Sequence, residues 1–194
     1  SGPSEFTTCG LCGHRLTVPG QACPECHASA DWQDLIGAMQ FAQNRFEQWA
    51  AGHLIGAEQL AAITSIHNER RRALDASARA GAPLPSRFGD IELMRPDRCW
   101  SCNAPLGGPV SQCPGCGASV DENLLRRLRY WCYTCGAVNA HFDAGRLPLA
   151  QAHACVNDAK GRIAALHANL EKRRRPVLAS VVDSGTGGRS TGPG

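Results

Sequence analysis

From Trp32 onward the apolar residues Trp32, Leu35, Met39, Ala42, Phe46 and Trp49 recur at alternating spacings of three and four. That period predicts a helix with one sticky face, and Gly52 is a suitable stop. A second helix is predicted from about Ala57 to Ala80, with Leu60, Ile63, Ile66 and Leu74 facing inward and Arg70, Arg71 and Arg72 breaking the far end of the stripe. The short link Gly52–Gly56 requires the two to fold back on each other, so residues 31–80 read as an antiparallel helical hairpin. A short helix is expected over 121–131 and a last one over 157–176, where Ala159, Ile163, Leu166 and Leu170 share a face and Lys172 to Arg175 suit the C-terminal end. Residues 81–98 carry Pro83, Pro85, Pro96 and two glycines and read as a linker. Residues 177–194 read as a Gly- and Ser-rich tail, a composition that leads us to expect a further segment, such as a membrane anchor, beyond it. No stretch approaches the roughly 20 apolar residues of a membrane span.

The segments without helical periodicity hold most of the cysteines. Of eleven, ten fall in Cys-x-x-Cys pairs, which suits a tetrahedral metal centre better than a disulfide framework. Cys9 to Asp31 aligns without gaps with Cys99 to Asp121 at a constant offset of 90 residues. Leu16 matches Leu106, Pro19 matches Pro109, Pro24 matches Pro114, and Ala28-Ser29-x-Asp31 matches Ala118-Ser119-x-Asp121. The shared intervening residues point to an internal duplication, with one copy in 1–30 and the other in 99–120. Each copy leads into a helix. In the second, Ser119 is the expected cap with Glu122 three residues on, while the first keeps Ser29 and Asp31 but has Trp32 at the Glu122 position.

The pattern Cys-x2-Cys-x10-Cys-x2-Cys brings two tight turns together from opposite sides, and four thiolates close a zinc coordination sphere. Both copies resemble the zinc-ribbon family, as a double zinc ribbon spanning about 45 residues. The resemblance implies Cys9, Cys12, Cys23 and Cys26 as ligands of one ion and Cys99, Cys102, Cys113 and Cys116 as ligands of the next. The Cys-Pro-x-Cys halves also resemble rubredoxin, an iron protein whose knuckles are spaced more widely. The Phe46-x-x-Trp49-x-x-Gly52-x-x-Ile55 phrase resembles the SHOCT-type hairpins that accompany zinc ribbons in many bacterial proteins. Cys132 and Cys135 lack a second Cys-x-x-Cys partner downstream. With His153 and Cys155, and His141 as the alternative histidine, they suggest a third zinc finger over 132–156, in a run that resembles a treble-clef-like finger. Three zinc ions are therefore expected. The fold class is small metal-bound modules plus α: two ribbons, a helical hairpin, a third finger and a C-terminal helix.

Charge then redirects the functional reading. The formal net charge is +3, but zinc binds thiolates, and the three expected centres would bring the loaded chain to about −2. General basicity of the kind that drives nucleic-acid binding is thereby removed. No nucleophile triad, phosphate loop or His-Glu-x-x-His motif occurs, and closed four-thiolate sites leave no position for substrate. The expected function is a non-catalytic, cytoplasmic zinc scaffold or adaptor that binds protein partners. Phe41, off the Trp32–Trp49 stripe, is the expected exposed contact. Nucleic-acid binding through Arg70–Arg72, Arg126–Arg129 and Lys172–Arg175 is the alternative, and thiol redox or iron chemistry a remote one.

Overall fold

The computed structural model describes residues 8–9, 11–16, 21–84, 87–88, 91–92, 97–108 and 110–177. The Pro19–Pro109 match, the N-terminal residues 1–7 and the tail beyond 177 lie outside them. The described residues form four helices: α1 (Ala30–Ala51), α2 (Ala57–Arg79), α3 (Glu122–Asp143) and α4 (Leu149–Lys172). Two short antiparallel strands, β1 (Arg87–Phe88) and β2 (Ile91–Glu92), lie within the linker, and β2 rests against α3.

The first hairpin follows its sequence pattern. Ser29 caps α1 by accepting from the Trp32 amide, and the stripe residues Trp32, Leu35, Met39, Ala42, Phe46 and Trp49 are all buried. Across the hairpin Gln43 Nε2 donates to Thr64 Oγ1 at 2.7 Å, and Ile63 is buried against α1.

The second half departs from expectation. The short helix expected over 121–131 does not end at Cys132; α3 runs on through Cys132 and Cys135 to Asp143. The last helix starts at Leu149 rather than Asn157, because Pro148 opens it in extended geometry and its carbonyl accepts from Ala152. The cap of α3 is Asp121, which accepts from the Leu124 amide at 3.0 Å, and not Ser119. Ser119 is instead bridged to Gln112 in extended conformation, and the Val120 amide donates to Ser111 O, so the chain stays extended two residues longer than in the first copy.

With that two-residue delay the hairpins themselves repeat, at an offset of 92 residues. Gly52 N to Gln48 O, His53 N to Ala50 O, Leu54 N to Trp49 O and Leu60 N to Gly56 O recur as Ala144 N to Ala140 O, Gly145 N to Phe142 O, Arg146 N to His141 O and Ala152 N to Pro148 O. His53 and Gly145 both take positive φ, 62° and 75°. Ile36, Ala38, Met39, Ala42, Phe46, Ile55 and Ile63 are buried, and so are Leu128, Tyr130, Trp131, Thr134, Val138, Leu147 and Cys155, their counterparts 92 residues on. The molecule is thus a ribbon and hairpin followed by a second ribbon and hairpin.

The two halves meet along α1 and α3. Asp34 pairs with Arg129 at 3.1 Å and Arg126 at 3.4 Å, Phe41 packs on Tyr130 and Trp131, and Phe46 packs on His141. Partner numbers rise together on both helices, so α1 and α3 run parallel, and both ribbons lie at one end of the bundle with both hairpin turns at the other. At Gly37 a Cβ would collide with the Tyr130 hydroxyl, so glycine permits the close approach there. Phe41 is therefore not a free contact: it is half-buried in this seam, with the Arg45 guanidinium 4.7 Å from its ring centroid. Trp32, Trp49 and Trp131 are buried as well, so most of the aromatic surface belongs to the core.

Candidate metal centres

Each ribbon is built from two turns whose backbone bonds recur at the offset of 90. Cys9 N donates to His14 O and Gly13 N to Cys9 O, then Cys23 N to Ala28 O and His27 N to Cys23 O. The second copy repeats them as Cys99 N to Ala104 O, Asn103 N to Cys99 O, Cys113 N to Ala118 O and Gly117 N to Cys113 O. One residue in each turn needs positive φ, and Gly13, His27, Asn103 and Gly117 adopt it. The turn amides also face the sulfurs at matched positions: His14 and Ala104 toward Cys12 and Cys102, Ala28 and Ala118 toward Cys26 and Cys116.

These turns gather Cys9, Cys12, Cys23 and Cys26 into one cluster and Cys99, Cys102, Cys113 and Cys116 into another, with all sulfurs of each within 4.8 Å of one another. Cys9 and Cys26 stand 3.7 Å apart and Cys12 and Cys23 3.6 Å; the second cluster has 3.7 Å for both Cys99–Cys116 and Cys102–Cys113. A disulfide would need about 2.05 Å. Four sulfurs about 2.3 Å from a central ion form a tetrahedron with edges of about 3.8 Å, so the donor sets fit zinc. The electrostatics agree. The Ala118 amide holds the Cys116 thiol down to about 6, whereas burial, aided by the adjacent thiols, pushes Cys26 up to about 12. Four crowded thiols cannot all ionise beside one another, and a divalent cation at their centre removes that conflict.

The ribbons are fixed to the bundle by the helices that return to them. Arg71 of α2 donates to Leu11 O, and the Trp32 indole donates to Ala82 O at 2.6 Å just beyond α2. At the second ribbon Arg174 donates to Cys116 O at 2.7 Å and Ser101 Oγ at 2.8 Å, Arg175 N donates to Gly117 O, and His167 packs edge-on against Trp100. Cys9, Cys23, Cys26, Leu11 and Ala28 join the main core, whereas Cys99, Cys113 and Ala118 form a small separate cluster with Trp100, Ala104 and Leu106 around it.

The third finger is not formed. Cys132 and Cys135 sit in helical backbone in the middle of α3, and His153 and Cys155 lie on α4. Residues two apart on a helix point to nearly opposite sides, and accordingly Cys155 is wholly buried while His153 is exposed. Cys155 occupies the core position that Ile63 holds in the first hairpin. The alternative ligand His141 is buried against Phe46 and accepts from Arg146 Nε at 2.8 Å. Among the described residues only the two four-cysteine groups gather as metal ligands. Two loaded centres, each subtracting two charges from +3, leave a net charge of −1. Comparison with family models, curated proteins and solved structures returned no match. No helix among the described residues is long and apolar enough to cross a membrane.

Proposed function

We propose that the chain is a non-catalytic scaffold whose two zinc ions are structural and whose helical faces bind protein partners. The observation that carries this reading is the closure of both centres: four sulfurs surround each ion position, so neither a water nor a substrate has a coordination site. Reduced thiols at both centres agree with a cytoplasmic setting. The matched bonds and cores of the two halves agree with duplication of a ribbon-hairpin unit.

The basic clusters favour protein over nucleic acid as partner. Arg126 and Arg129 are engaged by Asp34 and Glu122, Arg173 by Asp121, and Arg174 by Glu171 and Cys116 O. These ion pairs commit Arg126 and Arg129 to the fold, while Arg127, Lys172, Arg173 and Arg175 are exposed. Capture of the zinc-loaded protein with its binding partners, followed by mass spectrometry, is expected to return proteins that survive nuclease treatment. Fluorescence anisotropy against random DNA and RNA at low salt is expected to show no micromolar binding; tight binding that weakens steeply with salt would reverse the assignment.

A further inference from the structure

The two ribbons share their turns but not their support. Cys9, Cys23 and Cys26 lie in the main core, so the first ribbon opens only by uncovering apolar residues of the bundle. Cys99 and Cys113 lie in a small cluster of their own, and Cys116 is half-buried where its counterpart Cys26 is buried. The second ribbon is held from outside, by the end of α4.

One side chain makes most of that connection. Glu171 takes Arg174 Nε and Nη2 at 2.7 Å each, a two-pronged pair that fixes the guanidinium plane. From that position Nη1 donates to Cys116 O at 2.7 Å and Nη2 to Ser101 Oγ at 2.8 Å, with the cation 5.9 Å from the Trp100 ring centroid. Cys116 belongs to one knuckle of the ribbon. Trp100 and Ser101 belong to the other, and the Ser101 amide donates to Cys99 Sγ at 3.4 Å. Arg174 therefore clasps both knuckles of a single metal centre. Around it Arg173 pairs with Asp121 at 2.6 Å and Arg175 N donates to Gly117 O. At the matching place in the first half, 92 residues earlier, stands Ala82, whose methyl group spans nothing and whose carbonyl accepts from the Trp32 indole.

We infer that the second ribbon and the end of α4 form a zinc-dependent latch closed by Arg174: zinc at this centre and the docked position of residues 173–177 stabilise each other. With the ion bound, the two knuckles keep the spacing that Arg174 bridges, and four thiolates around one zinc carry a charge of about −2 that the guanidinium offsets. Coupling of this kind is reciprocal, so whatever docking adds to zinc affinity, zinc adds to docking. Without the ion, the small cluster alone holds the knuckles, and Arg174 loses its fixed pair of acceptors. The first ion is then permanent and the second exchangeable, and zinc supply sets the position of the chain that follows α4. The latch rests on the zinc reading of both centres and adds a conformational role to one of them.

The test challenges the zinc-loaded, 15N-labelled full chain with excess EDTA and follows each ribbon by NMR. Signals of Cys99, Cys102, Cys113 and Cys116 are expected to convert to the metal-free form before those of Cys9, Cys12, Cys23 and Cys26. Arg173, Arg174, Arg175 and Val177 are expected to change in step with the second ribbon while α1 stays unmoved, and added zinc to restore them. Arg174→Gln is expected to speed zinc loss from the second ribbon about tenfold and to leave the first unchanged. Arg174→Lys, which keeps the charge without the planar fork, is expected to fall between. If Arg174→Gln fails to fold, Ser101→Ala removes one surface bond of the clasp and is expected to act in the same direction, less strongly. The latch is overturned, with the scaffold reading left standing, if neither Arg174→Gln nor Ser101→Ala alters zinc loss, or if residues 173–177 stay docked after the second ribbon has emptied. A second ribbon that holds no zinc overturns both.

Discussion

His141 shows how strongly one side chain is governed by its place in the fold. Burial, followed by the guanidiniums of Arg146 and Arg70, depresses its imidazole from the usual 6.5 to about 4. Arg70 and His67 face it from α2, Tyr133 and Arg146 from its own hairpin, and Glu47 stands near on α1. The folded state therefore binds a proton less readily than the unfolded chain. Its contribution to stability is full above pH 6.5 and is lost as pH falls toward 4, up to about 3 kcal/mol. An NMR titration of the ring is expected to have its midpoint near 4, and His141→Phe should flatten this part of the stability–pH curve; a midpoint above 6 would contradict the burial. Asp34 is a second sensitive residue. It faces Arg126 and Arg129, which are only 16 % and 9 % exposed, so Asp34→Ala should destabilise the bundle by on the order of 3 kcal/mol in urea melts. At this scale the eight ribbon cysteines were legible because Cys-x-x-Cys pairs at fixed spacing have one common geometric solution. His153 and Cys155 were misleading: a cysteine at a core position looks the same in sequence as a cysteine at a metal.

Elements were legible where local signals and packing agreed. The Trp32–Trp49 stripe, the Gly52 stop and the return through Ala57 describe α1 and α2 almost to the residue. In α3 two signals competed, and helical periodicity through Leu128, Trp131, Val138 and His141 prevailed over the Cys132–Cys135 pair, which had no partner knuckle to complete a site. The ribbons repeat at 90 and the hairpins at 92, and at the hairpin offset Gly52-His53-Leu54-Ile55 faces Ala144-Gly145-Arg146-Leu147, alike only at the last position, so an ungapped alignment stops at the change and the second hairpin stays hidden. The ribbons are also unequal as elements. Because the first shares the main core and the second has its own small cluster, Cys9→Ser/Cys23→Ser should lower the melting temperature of the helices. Cys99→Ser/Cys113→Ser should leave most helical circular dichroism and one bound zinc. Equal loss of helicity in both variants would mean that the second ribbon also supports the bundle. Gly117 adds a local test: its φ is 71° and a Cβ there would run into the Arg175 carbonyl, so Gly117→Ala should cost about 1–3 kcal/mol and undock the end of α4 from the second ribbon.

At the scale of the whole molecule the sequence suggested a string of small modules, and the structure is a paired one. What hid the pairing is that its seam consists of residues far apart in the chain: Asp34 with Arg129, Phe41 with Trp131, Trp49 with Asp158. Elemental analysis of the purified protein is expected to give two zinc ions per chain; a third would mean that Cys132 and Cys135 gather further ligands that the structure does not bring together. The parallel course of α1 and α3 also has a mechanical consequence. Thr8 and Val177, the outermost described residues, both leave from the ribbon end. Tension applied through them would peel the ribbons from the bundle before loading the helix seam, so the zinc–sulfur bonds and the arginine bonds to Leu11 and Cys116 form the first joint to yield. Pulled instead from a hairpin turn against one end, the same molecule would resist by shear of all the side chains packed along its length.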